Sequence, residues 1–318
     1  MTATVGLIAN PAAGRDIRRL VGLASVVPNH EKAAIVRRVL AGLAAAGVAE
    51  VLYLPDPAGI MRAALDGVPP GVRARPLEMA IEGTAEDSTL AARLLAAAGV
   101  GAIVTLGGDG TNRAVAAGSG DVPLVAISTG TNNVFPTMID GTVAGLAAGL
   151  VATGAVDRGQ VVKQAKVVQV VADGILECAL VDAAVCLDRF VGARAIWDPS
   201  RILAIVLART EPWAVGLSSI GGQLSPVGVD EPAGLYVEIG SGPRVRAVIA
   251  PGLVLEVPIR NYRRLALEEA VELPVGGTIA LDGERELHST GRARAWVAAR
   301  GPAVVDIRAA LASGGWDG

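Results

Sequence analysis

The most informative part of this sequence is Gly107-Gly108-Asp109-Gly110-Thr111. It follows the apolar run 102–106, which predicts a buried strand, and it precedes 112–117, which predicts the first turns of a helix ended by Gly118. Turns of this kind bind phosphates, because glycine lets the backbone approach closely and N–H groups at a helix start attract negative charge. The carboxylate of Asp109 would repel a phosphate unless a metal ion lies between them or the carboxylate accepts a proton. The motif therefore indicates a metal–nucleotide site rather than a plain dinucleotide site.

Alternating strand-like and helix-like segments surround this turn. The strands are expected at 5–9, 50–54, 77–81, 102–106 and 123–127, and the longer helices at 29–47 and 84–98. Short connections between alternating strands and helices predict a mostly parallel, doubly wound α/β sheet of the kind that carries nucleotide sites.

The pattern changes after about residue 157. Val167–Val171 and Ile175–Leu180 flank Asp173-Gly174, which is typical of a tight hairpin. Further short strands are expected at 235–239, 245–249, 253–259, 270–273, 277–281 and 293–298. Gly and Pro separate these segments at short intervals, so they predict an antiparallel β-sandwich domain.

Two helices are expected within or after this β region. The first would have Asp198 as its cap and Pro199 at its first position, with Ile202, Ile205 and Val206 facing inward. The second would cover 306–312 at the end of the chain.

The length of 318 residues predicts two domains. We expect an α/β nucleotide-binding domain over 1–135, with the C-terminal helix 306–318 as a candidate addition, and a β-rich substrate domain over 136–305. The functional site should lie between the two domains, near the carboxyl ends of the parallel strands.

Composition argues against several classes of partner. The formal charge is −3, aromatic residues make up 3% and there is no basic run, which argues against nucleic acid. Two cysteines favour a reduced, cytoplasmic protein. The small-residue stretch between Asp140 and Asp157 is too short and too interrupted to span a bilayer. Its Gly145-x-x-x-Gly149 spacing favours a buried helix over helix pairing in lipid. We expect no stable membrane association.

Common catalytic motifs are absent from the sequence. There is no G-x-x-x-x-G-K-[ST], no G-x-G-x-x-G after an expected strand and no G-x-S-x-G. These absences argue against P-loop NTPases, typical Rossmann dehydrogenases and α/β-hydrolases. The two histidines, His30 and His288, cannot form a His-rich metal site.

Four segments together carry a resemblance to a known superfamily. They are Asn10-Pro11-Ala12-Ala13-Gly14-Arg15, Gly107 to Thr111, Gly130-Thr131-Asn132-Asn133-Val134-Phe135 and Asp282-Gly283-Glu284. The chain resembles the NAD kinases and the diacylglycerol and sphingosine-type lipid kinases. Including Gly83-Thr84-x-x-Asp87 and Asp188 to Arg194, it is most similar to the ATP-NAD kinase/AcoX branch, which is associated with acetoin-catabolism operons.

The resemblance implies an α/β domain and a β-sandwich domain with ATP bound between them. The residues that would hold the nucleotide are Asn10, Thr84, Gly107, Gly108, Gly110, Thr111, Thr131 and Asn133. Asp109 would hold Mg²⁺ or orient the acceptor hydroxyl, and Glu284 matches the general base proposed for the lipid kinases. Phosphoryl transfer needs these parts, since it requires in-line positioning, a metal to spread charge and a carboxylate to accept the hydroxyl proton.

Structural alternatives remain open for most of these segments. Asn10-Pro11 could simply end a strand, Thr84 could cap a helix, Gly130 to Asn133 could be a loop, and Asp282-Gly283 could be a hairpin turn. Val134 stands where the lipid kinases usually have Asp. No match exists between residues 128 and 160 for the Asn-Glu motif by which NAD kinases hold the nicotinamide ribose.

The resulting prediction is an ATP-dependent kinase that phosphorylates a hydroxyl of a small molecule. NAD, at its 2′-hydroxyl, is the first candidate acceptor through the resemblance, which would connect the protein to NADP biosynthesis. A soluble diol, a sugar acid or a lipid glycerol is the second class. A non-catalytic nucleotide-binding regulator of acetoin catabolism is the third interpretation. The resemblance also implies a homo-oligomer, either a dimer or a tetramer.

Overall fold

The computed structural model describes residues 3–14, 22–66, 71–130, 132–187, 196, 198–274, 276–289 and 291–314. The elements of the first half are β1 (Thr4–Ala9), α1 (Asn29–Ala45), β2 (Glu50–Tyr53), α2 (Ile60–Leu65), β3 (Arg73–Pro76), α3 (Ala85–Ala97), β4 (Ile103–Gly107), α4 (Asp109–Ser119), β5 (Leu124–Ser128), α5 (Gly141–Thr153), α6 (Arg158–Val161) and β6 (Val162–Gln164).

The second half is mostly strands. Its elements are β7 (Val167–Ala172), β8 (Ile175–Ala179), β9 (Asp182–Cys186), a 3-10 turn (Pro199–Arg201), β10 (Ile202–Leu207), α7 (Ser218–Leu224), β11 (Ala233–Ala250), β12 (Leu253–Ala266), β13 (Val271–Leu273), β14 (Gly277–Leu281), β15 (Glu284–Ser289), β16 (Ala293–Ala298), β17 (Ala303–Val305) and α8 (Ile307–Ser313).

Within the described residues, the first sheet has the strand order β3-β2-β1-β4-β5-β17-β6. The first six strands pair in parallel, and β6 pairs antiparallel with β17. From β1 the chain builds outward through β2 and β3, and from β4 it builds outward in the opposite direction. The point where the order reverses, between β1 and β4, is where open α/β sheets bind ligands.

Apolar runs explain the buried strands of this sheet. All five residues of β4 are buried, and Val5, Leu7 and Ile8 of β1 are fully buried. Helices α1 and α5 pack on one face and α3 and α4 on the other. Strands covered on both faces read as continuous apolar runs, so the doubly wound α/β sheet expected from the sequence is confirmed.

Two antiparallel sheets form the rest of the described chain. One has the strand order β12-β11-β10-β9-β14-β15 and the other β13-β16-β7-β8. Valines, leucines and alanines from facing strands fill the core between them. Asp173 and Gly174 have φ values of 49° and 83°, as a tight hairpin between β7 and β8 requires. The expected antiparallel β-sandwich is therefore present.

Two predicted elements were wrong, and two further predicted strands are parts of one longer strand. The third strand is Arg73–Pro76 rather than 77–81, because this sheet-edge strand is largely exposed and lacks an apolar run. Residues 202–207 form the fully paired strand β10 rather than a helix, since Ile202, Ile205 and Val206 lie between β9 and β11. Segments 235–239 and 245–249 belong to one long strand, β11, whose register with β12 shifts between them.

The α/β layer draws on more of the chain than the predicted segment 1–135. Helix α5 packs on α1, and β6 and β17 add two strands to the sheet, with α8 against α5. Strands of only three residues leave almost no periodic signal in a sequence, so their place in this sheet depends on tertiary contacts.

Helix α5 contains the Gly145-x-x-x-Gly149 spacing and packs closely on α1. A Cβ atom at Gly145 would lie 2.2 Å from the carbonyl oxygen of Val39, so the glycine permits direct backbone contact between the helices. In the described part of the chain, every helix is too short or too polar to cross a membrane.

Candidate active site

A cleft of about 320 Å³ opens at the carboxyl ends of β1, β2, β4 and β5, and we call it the main cleft. Its walls include the segments 10–14, 54–57 and 108–111, together with Asp282 and Glu284 from the β-sandwich. The cleft thus lies at the switch point of the parallel sheet, and the second domain completes it.

The glycine turn forms the start of helix α4. The helix begins at Asp109 rather than at residue 112 as expected, and Gly108 is its N-cap residue. The N–H groups of a first helical turn have no partner inside the helix, so Asp109, Gly110 and Thr111 bring unpaired helix-start donors to the cleft wall. Such donors and the positive end of the helix dipole favour an anion.

Buried polar contacts fix this turn from below. The hydroxyl of Thr105 donates to Asn112 Oδ1 at 2.6 Å, and Asn112 Nδ2 donates to the Gly108 carbonyl at 2.9 Å. Asn112 is fully buried. A Cβ atom at Gly107 would lie 2.5 Å from the side chain of Thr111, so only glycine fits there.

Asn10 and Thr111 meet across the switch point, although 101 residues separate them. Asn10 Nδ2 donates to the Thr111 hydroxyl at 2.8 Å, and its Oδ1 accepts from Ala12 N at 2.8 Å. Because the hydroxyl of Thr111 accepts this hydrogen bond, its own proton can be donated to a ligand in the cleft. The two residues therefore act as one unit at the cleft wall.

The carboxylate of Asp109 holds the loop that follows β5. It accepts hydrogen bonds from Phe135 N at 2.8 Å and from Val134 N at 3.1 Å. Val134, the residue that departs from the lipid-kinase motif, thus contacts Asp109 through its backbone. The interaction of this carboxylate with the loop was not expected from the sequence.

Burial is the largest cause and the nearby charge of Asp282 the second, and the pKa of Asp109 is raised to about 7. The N–H of Phe135, the guanidinium of Arg209 and the N–H of Val134 act in the opposite direction. Burial also raises the pKa of Asp282. Two buried carboxylates close together disfavour ionisation of both at once.

Asp282 joins the β-sandwich to helix α4. Its carboxylate accepts hydrogen bonds from Val181 N at 2.8 Å and Leu180 N at 3.1 Å, and Arg113 Nε lies 3.3 Å from its Oδ2. The side chain of Asp282 is fully buried. With φ values of 51° and 76°, Asp282 and Gly283 form the two-residue turn between β14 and β15. This segment is therefore both a hairpin turn and part of the cleft.

Glu284 reaches the cleft because it is the first residue of β15, directly after this turn. Its half-buried carboxyl group lies over the glycine turn, 3.8 Å from where a Cβ atom of Gly110 would be. A side chain at position 110 would come into contact with this carboxylate. The structure thus places Glu284 beside the glycine turn, and the role of Glu284 as a general base stays a prediction.

The remaining predicted residues have mixed positions. Thr84 is exposed at the cleft edge and precedes α3, where Asp87 accepts hydrogen bonds from the backbone of residues 82–84. Asn133 Nδ2 donates to Ser128 Oγ at 2.7 Å, and Asn133 packs against Gly108 and Gly130. Thr131 and the segment 188–195 lie outside the described residues.

Sequence reasoning missed three cations at this site. Lys32 of α1 is fully buried and donates to the carbonyls of Asn10 at 2.9 Å, Pro11 at 3.1 Å and Ala13 at 3.2 Å. Arg113 pairs with Asp282. Arg209 stacks on Phe135 at 5.5 Å from the ring centroid, and burial lowers its pKa. Only Lys32 could have been found from the sequence, because it is a charged residue on the otherwise apolar face of helix α1.

The fit of Mg²⁺ to these residues can be judged from the donor set. Among the described residues, no group of three His, Cys, Asp or Glu side chains is arranged to hold a metal ion. The carboxylates of Asp109 and Asp282 already accept backbone N–H groups. Mg²⁺ is commonly held by one or two carboxylates together with substrate phosphates and water. The cleft is compatible with that arrangement and not with an all-protein cage.

Comparisons with known proteins match two different domains to the α/β part and to the β-sandwich part of the chain. Residues 5–155 match the ATP-NAD kinase N-terminal domain, and residues 166–301 match the acetoin catabolism protein X C-terminal domain. The fold is similar to that of a Bacillus anthracis str. Sterne protein described as a candidate diacylglycerol kinase. The TM-score is 0.50 at 16% identity, and the match covers 95% of this chain and 97% of that one.

A closer relative is acetoin catabolism protein X of Cupriavidus necator. It is 42% identical over 300 residues, which cover 89% of this chain and 84% of the relative. Identity of this extent spans both the cleft and the β-sandwich. The chain therefore belongs to the acetoin catabolism protein X family, and its own N-terminal part matches the ATP-NAD kinase N-terminal domain.

Proposed function

We propose that this protein is an ATP-dependent kinase that transfers the γ-phosphoryl group to a hydroxyl of a small molecule. One observation carries the proposal. The first turn of α4, Asn10 with Thr111, and the carboxylate of Glu284 come from distant parts of the chain and converge on one cleft. Phosphoryl transfer requires this combination of anion-binding donors and a base.

Each residue has a proposed part in the reaction. The N–H groups at the start of α4 bind and orient the phosphates, and the hydroxyl of Thr111 donates one further hydrogen bond. Glu284 accepts the proton that leaves the acceptor hydroxyl. Asp109 fixes the loop 132–135, and the assignment of this residue as a metal ligand stays a prediction. When bound with the nucleotide, Mg²⁺ would neutralise charge on the phosphate oxygens.

The acceptor is proposed at the level of class. NAD is the first candidate through the likeness to the ATP-NAD kinase domain, and a soluble diol or sugar acid is the second. We also propose that the protein is cytoplasmic, because its cysteines are free thiols, and that it is a homo-oligomer, because the family resemblance implies one.

The test measures ADP formation by the purified full chain with ATP, Mg²⁺ and a panel of NAD, diols and sugar acids. Wild-type protein should turn over with at least one acceptor. Glu284→Gln should lower kcat by about 10²-fold, the scale of a positioned acid–base group, and leave ATP binding intact. Glu272→Gln, at an exposed site on β13, is the control and should behave as wild type. Normal kcat in Glu284→Gln would remove the assigned base.

A non-catalytic nucleotide-binding regulator is the second candidate. The observation in its favour is that the carboxylate of Asp109 is buried and already accepts hydrogen bonds from the backbone of Val134 and Phe135. Tight ATP binding without ADP formation on any acceptor would favour this function over the kinase.

A further inference from the structure

A second cavity adjoins the main cleft, and we call it the side cavity. Its volume is about 460 Å³, within the usual range of small-molecule sites. Helices α3 and α4 form one wall, and β8 with the segment 300–302 forms the other. Four residues line both cavities: Ala85, Gly110, Arg113 and Ala114. The two cavities therefore adjoin at the start of α4.

We propose that the side cavity binds the phosphoryl acceptor, and that this cavity fits the second of the two acceptor classes rather than NAD, as a compact, non-aromatic hydroxy acid. The inference rests on the proposed kinase activity, because it places the phosphoryl donor in the main cleft. Gly110 is the contact point. It borders both cavities, and the carboxyl group of Glu284 lies over it. An acceptor hydroxyl at Gly110 would lie between the donor phosphate and this carboxylate.

The chemistry of the walls selects this class of acceptor. None of the described lining residues is aromatic, so contacts to a ligand in this cavity come from polar and small aliphatic groups rather than from ring stacking. Glu86 and Glu177 supply carboxylates that can accept hydrogen bonds from hydroxyls. Arg300 forms no ion pair or hydrogen bond with the described residues, and its guanidinium can bind a carboxylate with two parallel hydrogen bonds.

The length of the cavity limits the size of the acceptor. Gly110, Arg113, Ala114 and Ala117 lie on one face of α4, at the helical spacing i, i+3, i+4 and i+7. Gly110 and Ala117 are about 10 Å apart along the axis, at about 1.5 Å per residue. An acid of up to about six carbons fits within this distance, with its hydroxyl at Gly110.

The transfer step balances without a further reactant. The O–H bond of the acceptor breaks, and its proton goes to the carboxylate of Glu284. A new P–O bond forms between the acceptor oxygen and the γ-phosphorus. The bond between that phosphorus and the β–γ bridging oxygen breaks, and ADP leaves with the bridging oxygen.

Two variants test the side cavity. Ala117→Phe fills its outer end from an exposed position on α4, and Arg300→Met removes the exposed cation. D-gluconate, D-glycerate, glycerol and NAD serve as acceptors in ADP-release assays. Calorimetry measures D-gluconate binding to the protein saturated with a non-hydrolysable ATP analogue. Arg308→Met, at an exposed site on α8, is the control.

We expect wild-type protein to bind and phosphorylate a hydroxy acid in preference to glycerol and NAD. Both variants should raise the KM and Kd for the acid about tenfold or more, with ATP affinity unchanged. Arg300→Met should affect acids more than glycerol. If the protein phosphorylates a hydroxy acid and neither variant changes the KM for it, the side cavity is not the acceptor site, although the proposed kinase activity is supported. Preferred turnover of NAD would also overturn it. If the wild-type protein binds the acid, both variants abolish that binding, and no ADP is released, the side cavity is a binding site for the acid and the proposed kinase activity is wrong.

Discussion

Lys32 lies beneath the loop that follows β1, and its ammonium group is fully buried. Its Nζ donates to the carbonyls of Asn10, Pro11 and Ala13, so it fixes the backbone that aims Asn10 at Thr111. A buried ammonium can satisfy three acceptors at once, because it has three rotatable donors. Its role is therefore to position the wall of the main cleft rather than to contact the ligand.

Replacement of Lys32 by Met should weaken nucleotide binding and lower the free energy of unfolding. Loss of the donors leaves buried carbonyls unsatisfied, which costs about 1–3 kcal/mol. Urea denaturation and titration with a fluorescent ATP analogue measure the two effects. Lys163→Met, which removes a half-exposed lysine paired with Asp230 and Asp306, is the control and should leave ATP affinity unchanged. Unchanged ATP affinity in Lys32→Met would contradict the positioning role.

Lys166 predicts a pH dependence of stability. Burial lowers its pKa to about 8, although Nζ donates to the carbonyls of Gly228 and Ala233. Between pH 8 and the ordinary lysine pKa near 10.5, the unfolded chain binds more protons than the folded chain. The contribution of Lys166 to the free energy of unfolding should therefore rise with pH in this window.

Urea denaturation of wild type and Lys166→Met from pH 7 to pH 10.5 checks this sign. As the pH rises, the free energy of unfolding of the wild type should increase relative to that of the variant. Lys163 is the control, since its hydrogen bond to Asp230 raises its pKa instead of lowering it. Lys163→Met still contains Lys166, so its free energy of unfolding should show the same rise between pH 8 and pH 10.5 as that of the wild type. Parallel pH curves for wild type and Lys166→Met would show that burial does not depress this pKa.

At the scale of elements, the hairpin β14–β15 is attached to helix α4. The attachment consists of the buried carboxylate of Asp282, which binds Arg113 of α4 and the backbone before β9. The same hairpin presents Glu284 to the glycine turn. Its position therefore determines both the contact between the domains and the placement of the proposed base.

Asp282→Ala should destabilise the protein by about 3–5 kcal/mol, because it removes the buried carboxylate that binds Arg113 and accepts hydrogen bonds from the backbone of Leu180 and Val181. Urea denaturation gives this free energy. The matched control is Glu269→Gln, which breaks the exposed pair with Arg263 and should change stability little. An equally small effect in both variants would show that the Asp282 pair does not hold the hairpin to α4.

Local patterns predicted most of these elements. The apolar run before Gly107 indicated β4, and the capping residues Thr84 and Asp87 marked the start of α3. The failures share a cause. Ile202, Ile205 and Val206 have helical spacing within a short apolar run, and periodicity alone does not separate a buried strand from a helix there. Pairing with β9 and β11 decided the outcome.

At the scale of the whole molecule, the main cleft is made by both domains. The first turn of α4 and the loop after β1 come from the α/β sheet, and Asp282 and Glu284 come from the sandwich. A ligand held between the two should stabilise both of them against unfolding, because it binds only the assembled cleft.

ATP should therefore raise the free energy of unfolding of the full chain. At a free concentration one hundred times the Kd, the expected gain is about 2.7 kcal/mol. Denaturation followed at the tryptophans and by circular dichroism measures it, with inorganic phosphate at the same ionic strength as the control. Stabilisation by phosphate alone equal to that by ATP would contradict a nucleotide site across the cleft.

The sequence by itself determined the local features of this protein. The strand, glycine turn and helix around Asp109 and the Asp-Gly hairpins at 173–174 and 282–283 follow from backbone preferences over a few residues. Only the tertiary structure decided which distant groups meet. Lys32 lies 22 residues from Asn10, and Asp282 lies 101 residues from Val181. A charge that is buried away from water is stable only with a hydrogen-bonding or oppositely charged partner. That partner can come from any part of the chain, so the local sequence pattern does not identify it.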